Sequence, residues 1–103
     1  MEAGKPAGGE ILNAAQQVLM YCTAFCPFCQ MADRLLAGKG VAEITRIRVD
    51  LEPGRREEMM TRTGRYTVPQ IYIGDFHVGG YDELSSLNRA GKLDALLQDN
   101  AAA

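Results

Sequence analysis

The tightest constraint on this chain is a pair of thiols, Cys26 and Cys29, in the sequence Cys26-Pro27-Phe28-Cys29. Two intervening residues let a small disulfide close and reopen when the backbone there turns into a helix. The flanking residues predict that arrangement. Val18-Leu19-Met20-Tyr21-Cys22 is a short continuous apolar run, which fits a strand buried on both faces beside a parallel neighbour. Thr23-Ala24-Phe25 then forms a loop, and Pro27 suits the first helical position, where its missing N–H costs nothing. Phe28, Met31, Ala32, Leu35 and Leu36 follow at helical spacing until Gly38 and Gly40 stop the helix.

Downstream, Ile44 to Val49 alternates in polarity, which predicts a half-exposed strand. It runs parallel to the first because a helix crosses between them. After the turn Asp50-Leu51-Glu52-Pro53-Gly54, a charged helix spans Arg55 to Arg62, with Met59 and Met60 turned inward and Gly64 at its end. Val68-Pro69-Gln70-Ile71-Tyr72-Ile73 is the third strand, and Gly74-Asp75 turns it into a hairpin with Phe76-His77-Val78. Gly79-Gly80 breaks that strand. Asp82 caps a last helical region with Leu84, Leu87, Leu93, Leu96 and Leu97 on its apolar side, interrupted near Gly91. The order β-α-β-α-β-β-α predicts an α/β fold, a mixed four-stranded sheet flanked by helices, which is the thioredoxin-like pattern. Residues 1–16 read as a flexible tail, with a short helical lead-in over Glu10 to Gln17, and residues 17–100 as the folded domain, its last residues frayed.

Composition narrows the function. A length of 103 residues suffices for one core without staples or metals. The net charge of −2 argues against a polyanion partner, and Arg46, Arg48, Arg55, Arg56, Arg62 and Arg65 are interleaved with Asp50, Glu52, Glu57 and Glu58 as on a solvated face. No nucleic-acid partner is expected. No apolar run approaches the ~20 residues of a membrane span, and residues 1–9 have no apolar signal-peptide core. Three cysteines, two of them in one C-x-x-C, fit a reducing compartment rather than a secreted disulfide framework. A cytoplasmic monomer is the expectation.

Thiol–disulfide exchange needs a thiolate, whereas a free cysteine titrates near ~8.5. Cys26, at the mouth of a helix, meets the positive end of the macrodipole and unpaired N–H groups. Cys29, one turn in, is expected to be more buried and to keep its proton. The prediction is that Cys26 attacks and Cys29 resolves. A zinc site would require a second C-x-x-C or a paired histidine, and His77 is the only histidine, so no metal is expected. Cys22, Cys26 and Cys29 also match the spacing of a radical-SAM cluster, but those enzymes need a far larger barrel. In the predicted central strand Cys22 is a small buried hydrophobe, out of disulfide reach of Cys26.

From Val18 to Leu97 the sequence resembles a dithiol glutaredoxin of the bacterial type. The resemblance is carried by Cys26-Pro27-Phe28-Cys29, by Thr67-Val68-Pro69 before a strand, and by Gly79-Gly80-Tyr81-Asp82 before the last helix. It implies a glutathione-dependent oxidoreductase that reduces protein disulfides and glutathione mixed disulfides, with glutathione as co-substrate and no bound cofactor. Its expected partners are glutathione and disulfide-containing or glutathionylated proteins. It implies a cis peptide bond before Pro69, with the Val68 backbone pairing to the cysteine of glutathione like an added strand. Gly80, Tyr81 and Asp82 would receive the γ-glutamyl end, Arg56 the glycyl carboxylate, and Thr67 and Phe28 would complete the site.

One position departs from the family. Thr23 stands where many members carry a lysine that helps hold glutathione and favours the thiolate, so a weaker glutathione grip is expected. Two other readings remain. One is a glutaredoxin-like redoxin recharged by thioredoxin reductase, which the missing lysine keeps open. The other is a glutathione-ligated [2Fe–2S] cluster between two monomers, disfavoured by the stiff Pro27 and the competing Cys29.

Overall fold

A computed structural model describes residues 16–98. The expected tail, most of the helical lead-in and the frayed end lie outside the described residues. Gln16 and Gln17 are not helical: the Gln16 N–H donates to the Leu97 carbonyl at 2.9 Å, and the Gln17 carbonyl accepts from Gly74 N–H at 2.7 Å.

The elements are β1 (Val18–Cys22), α1 (Pro27–Gly38), β2 (Ile44–Arg48), α2 (Arg55–Thr63), β3 (Gln70–Ile73), β4 (Phe76–Gly79), α3 (Tyr81–Arg89) and α4 (Leu93–Gln98). The last helical region is thus two helices, broken at Gly91 as expected. The sheet has four strands in the order β2-β1-β3-β4. β1 pairs in parallel with β2, from Val18 opposite Ile44 to Cys22 opposite Arg48, and antiparallel with β3, where Tyr21 faces Gln70. The apolar β1 run is therefore a central strand, and the alternating β2 an edge.

Side-chain alternation along β1 divides the core into two layers. Val18, Met20 and Cys22 join Ala32 and Leu36 of α1, Leu84 of α3, and Leu93 and Leu97 of α4. Tyr21 points to the other face, with Ile47, Val49, Tyr72 and Met59 of α2. Helices therefore cover both faces, the thioredoxin-like architecture that the element order predicted. Each fully buried Leu36 or Leu84 contributes roughly 1.5–3 kcal/mol of burial. On the α2 side, the Tyr21 hydroxyl donates to Glu58 at 2.6 Å and accepts from Arg62 at 2.8 Å. The Arg62 guanidinium also lies 4.1 Å over the Tyr72 ring.

Four expected placements differ. Met59 is buried but Met60 is exposed, because α2 turns Met59 to the sheet and adjacent helical residues point about 100° apart. In α1 the buried stripe is Cys29, Ala32 and Leu36, so Phe28 and Met31 lie on its open side. The strand after Pro69 starts at Gln70, and α3 starts at Tyr81 with Gly80 as N-cap, so Asp82 lies inside the first turn rather than capping it.

Candidate active site

The site forms where β1 leaves the sheet. The Cys22 carbonyl still accepts from Val49 N–H at 3.0 Å. The next loop is fastened by Ala24 N–H donating to Asp50 Oδ2 at 3.2 Å. Asp50 is itself gripped by Arg48 through Nε and Nη2, both at 2.8 Å, and this guanidinium holds its carboxyl well below the usual carboxylate range. The end of β2 thereby fixes the approach to the first thiol.

Cys26 is the N-cap of α1, with extended backbone at φ −132° and ψ 100°, and Pro27 opens the helix behind it. Cys29 N–H donates to Cys26 Sγ at 3.2 Å. A backbone donor and the open, N–H-bearing end of the helix thus converge on that sulfur. Both cysteines are reduced, and their exposures of 7% and 5% are nearly equal, so the expected contrast in burial is slight. Burial, then the hydrogen bond with Cys26, pushes the Cys29 thiol well up, and the Thr23 backbone offsets part of this.

From across the molecule, the Val68 carbonyl lies 3.9 Å from Cys26 Sγ, and the Val68–Pro69 bond is cis. A groove of about 280 Å³ continues from there, lined by Phe28, Arg65, Thr67, Val68, Pro69, Gly80, Tyr81, Asp82 and Glu83. Phe28, on the open side of α1, meets Tyr81 at the mouth of α3, with ring centroids 6.3 Å apart. A larger open depression of about 610 Å³ lies between α1 and β2 and holds no cysteine.

Seven of the expected ligand-contacting residues therefore share one groove: Phe28, Thr67, Val68, Pro69, Gly80, Tyr81 and Asp82. Thr23 and Arg56 do not line it. Thr23 sits beside Cys29 through its backbone, and Arg56 Nη1 donates to the Tyr66 carbonyl at 3.2 Å, bracing the loop that leads to Thr67. Two lining residues, Arg65 and Glu83, were not singled out from the sequence. Glu83 Oε1 accepts from Gly80 N–H at 2.7 Å and lies 3.6 Å from Arg65 Nη2. The Gly80 N–H, with Arg65 in support, draws the Glu83 carboxyl below its ordinary value. Glu83, three residues after the N-cap, makes the carboxylate half of a capping box, but Gly80 has no side chain for the other half, so no Ser/Thr-x-x-Glu signature marks it in sequence. Nothing local marks Arg65 among its neighbouring arginines.

A mixed sheet with helices on both faces, and a dithiol whose first sulfur caps a helix beside a cis-proline loop, defines a thiol–disulfide oxidoreductase of thioredoxin-like fold. The glutaredoxin family model matches residues 18–78, and the chain belongs to the glutaredoxin family. It is 50% identical to a glutaredoxin of Neisseria meningitidis over 82 residues, which cover 80% of this chain and 96% of that one. The solution structure of a Brucella melitensis glutaredoxin is 44% identical with a TM-score of 0.74, covering 88% of this chain and 98% of its own. A buckwheat glutaredoxin–glutathione complex is 28% identical with a TM-score of 0.73, over 80% of this chain and 76% of that one.

Proposed function

We propose that this protein is a glutathione-dependent reductase of protein disulfides and glutathione mixed disulfides, with Cys26 as nucleophile and Cys29 as resolving thiol. The observation that carries this reading is the continuity of the groove. It leads from Val68, whose carbonyl lies 3.9 Å from Cys26 Sγ, to the first turn of α3. A glutathionyl cysteine pairing with the Val68 backbone reaches Cys26 at one end and the N–H groups and Asp82 of α3 at the other. The glutathione-bound buckwheat relative, of the same fold, supports the choice of ligand.

The chemistry balances in two exchanges. The Cys26 thiolate attacks the glutathionyl sulfur of a mixed disulfide, and the protein thiolate leaves. A glutathione thiolate then attacks the Cys26-bound glutathionyl sulfur, forming glutathione disulfide and restoring the Cys26 thiolate. With a protein disulfide, the Cys26 thiolate attacks one sulfur and releases the other as a thiolate, which leaves a mixed disulfide; Cys29 then gives up its proton and attacks the Cys26 sulfur. The second substrate thiol leaves, and the resulting Cys26–Cys29 disulfide is reduced by two glutathiones. No bound cofactor takes part.

Arg65 lines the groove at the mouth of α3, beside Glu83, and adds a positive charge to the end that would take the γ-glutamyl group, whereas Arg56, expected to take the glycyl carboxylate, donates to the Tyr66 carbonyl and does not line the groove. Thr23 adds no positive charge. No helix among the described residues is long and apolar enough to cross a membrane. A reducing cytoplasm, with the protein acting as a monomer, suits this cycle.

The test is a coupled assay on a small glutathione mixed disulfide with NADPH and glutathione, comparing glutathione reductase with thioredoxin reductase as the recharging enzyme. Saturable turnover with glutathione and glutathione reductase is expected. Turnover only with thioredoxin reductase, unaffected by glutathione, overturns the reading in favour of a redoxin.

A further inference from the structure

Gln70 is the buried polar residue of the described core, fully screened from solvent in a strand whose other members, Ile71, Tyr72 and Ile73, are buried apolar or aromatic residues. A side-chain amide in that position is costly unless both of its ends are bonded. Gln70 Nε2 donates to the Thr67 carbonyl at 3.0 Å and approaches Thr67 Oγ1 at 3.4 Å, while Oε1 lies 2.8 Å from His77 Nε2. The Thr67 carbonyl can only accept, so the amide orientation is fixed. Its oxygen therefore faces His77, and His77 Nε2 must carry a proton to donate. The His77 ring is held against Tyr72, with centroids 5.0 Å apart.

The segment that Gln70 grips packs on the core through Val68 and meets Cys26 at the Val68 carbonyl, but few hydrogen bonds hold its backbone. Among the described residues, no backbone–backbone hydrogen bond outside the helices and sheet fixes residues 65–69. Its backbone is held by side chains: Thr63 on Arg65, Arg56 on Tyr66 and Gln70 on Thr67. Thr63 is partly buried and the Arg56 contact is exposed, whereas Gln70 is inaccessible to water. Thr67 adjoins Val68, whose carbonyl faces Cys26, and both line the groove.

We propose that Gln70, oriented by the Nε2–H of His77, is a positioning residue that holds the Thr67–Val68 backbone in register to receive the disulfide substrate beside Cys26. The inference rests on the proposed role of Val68 in pairing with the glutathionyl cysteine.

The test compares wild type with Gln70→Leu, His77→Leu and His77→Gln. In Gln70→Leu and His77→Leu, the amide order parameters of Thr67 and Val68 are expected to fall from the rigid range near ~0.85 toward ~0.6. The KM for a glutathione mixed disulfide should rise roughly tenfold, with kcat and the pH profile of Cys26 alkylation unchanged. His77→Gln, whose amide supplies an N–H, should return both readouts toward wild type. Nitrogen-15 imidazole signals of the wild type should report the Nε2–H tautomer at neutral pH. Lowered thermal stability with unchanged order parameters and KM would overturn the proposal, as would the Nδ1–H tautomer. Should Gln70→Leu fail to fold, the two His77 variants decide the question. The order parameters and tautomer need no glutathione, so a wild type that does not use glutathione leaves this test intact and counts against the proposed function alone.

Discussion

Cys26 and Cys29 sit one helical turn apart and almost equally hidden, so the proposed division of labour between them rests on what surrounds each sulfur. The N–H of Cys29 points at Cys26, while burial raises the proton affinity of Cys29. The raised thiol has a consequence for stability, because the unfolded chain ionises its cysteines near ~8.5 and the folded chain keeps Cys29 protonated. The contribution is fully present below that value and is lost as pH rises above it, by at most ~2 kcal/mol at pH 10. Urea midpoints measured from pH 7 to 10 should fall on the alkaline side, and fall less in Cys29→Ala. An equal fall in both proteins would contradict this account of Cys29. The two thiols, Val68, Pro69 and the Gly80–Asp82 stretch were legible because each belongs to a short motif with its own chemistry. The groove position of Arg65 and the bonds of Gln70 were not, since they come from partners that only the tertiary fold supplies.

Helix starts were easier to read than helix faces. Pro27 marks the mouth of α1, but apolar spacing alone selected a stripe that includes Phe28 and Met31, whereas the buried stripe is centred on Cys29, Ala32 and Leu36. Adjacent apolar residues on a helix leave the buried face ambiguous until the sheet beneath it is known. The start of α3 depends on two glycines. Gly79 has φ +109°, and a Cβ there would stand 3.0 Å from both Arg65 Nη1 and Glu83 Oε1. Those side-chain ends can move, so backbone strain is the larger penalty. Gly79→Ala should cost ~1–2 kcal/mol, lowering Tm by at least ~4 °C. It should also weaken substrate binding by shifting the first turn of α3. An unchanged Tm would show that the left-handed backbone is not required at this position.

The element order and the parallel pairing of β1 with β2 were legible because a crossover helix leaves little freedom of topology. The convergence of the end of β1, the cis-proline loop and the mouth of α3 is a product of the complete sheet. It is the antiparallel β1–β3 pairing, with Tyr21 opposite Gln70, that delivers Val68 to a cysteine 42 residues earlier in the chain. That convergence brings the dithiol to the groove, and the proposed function gives Cys26 the first attack. The most direct test is mass spectrometry of the Cys29→Ser and Cys26→Ser variants after brief exposure to glutathione disulfide at neutral pH. One stable glutathionyl adduct is expected, on the Cys26 peptide of Cys29→Ser, and little or none in Cys26→Ser. Rapid addition to Cys29 in the Cys26→Ser variant, with Cys26 unreactive in the other, would contradict it.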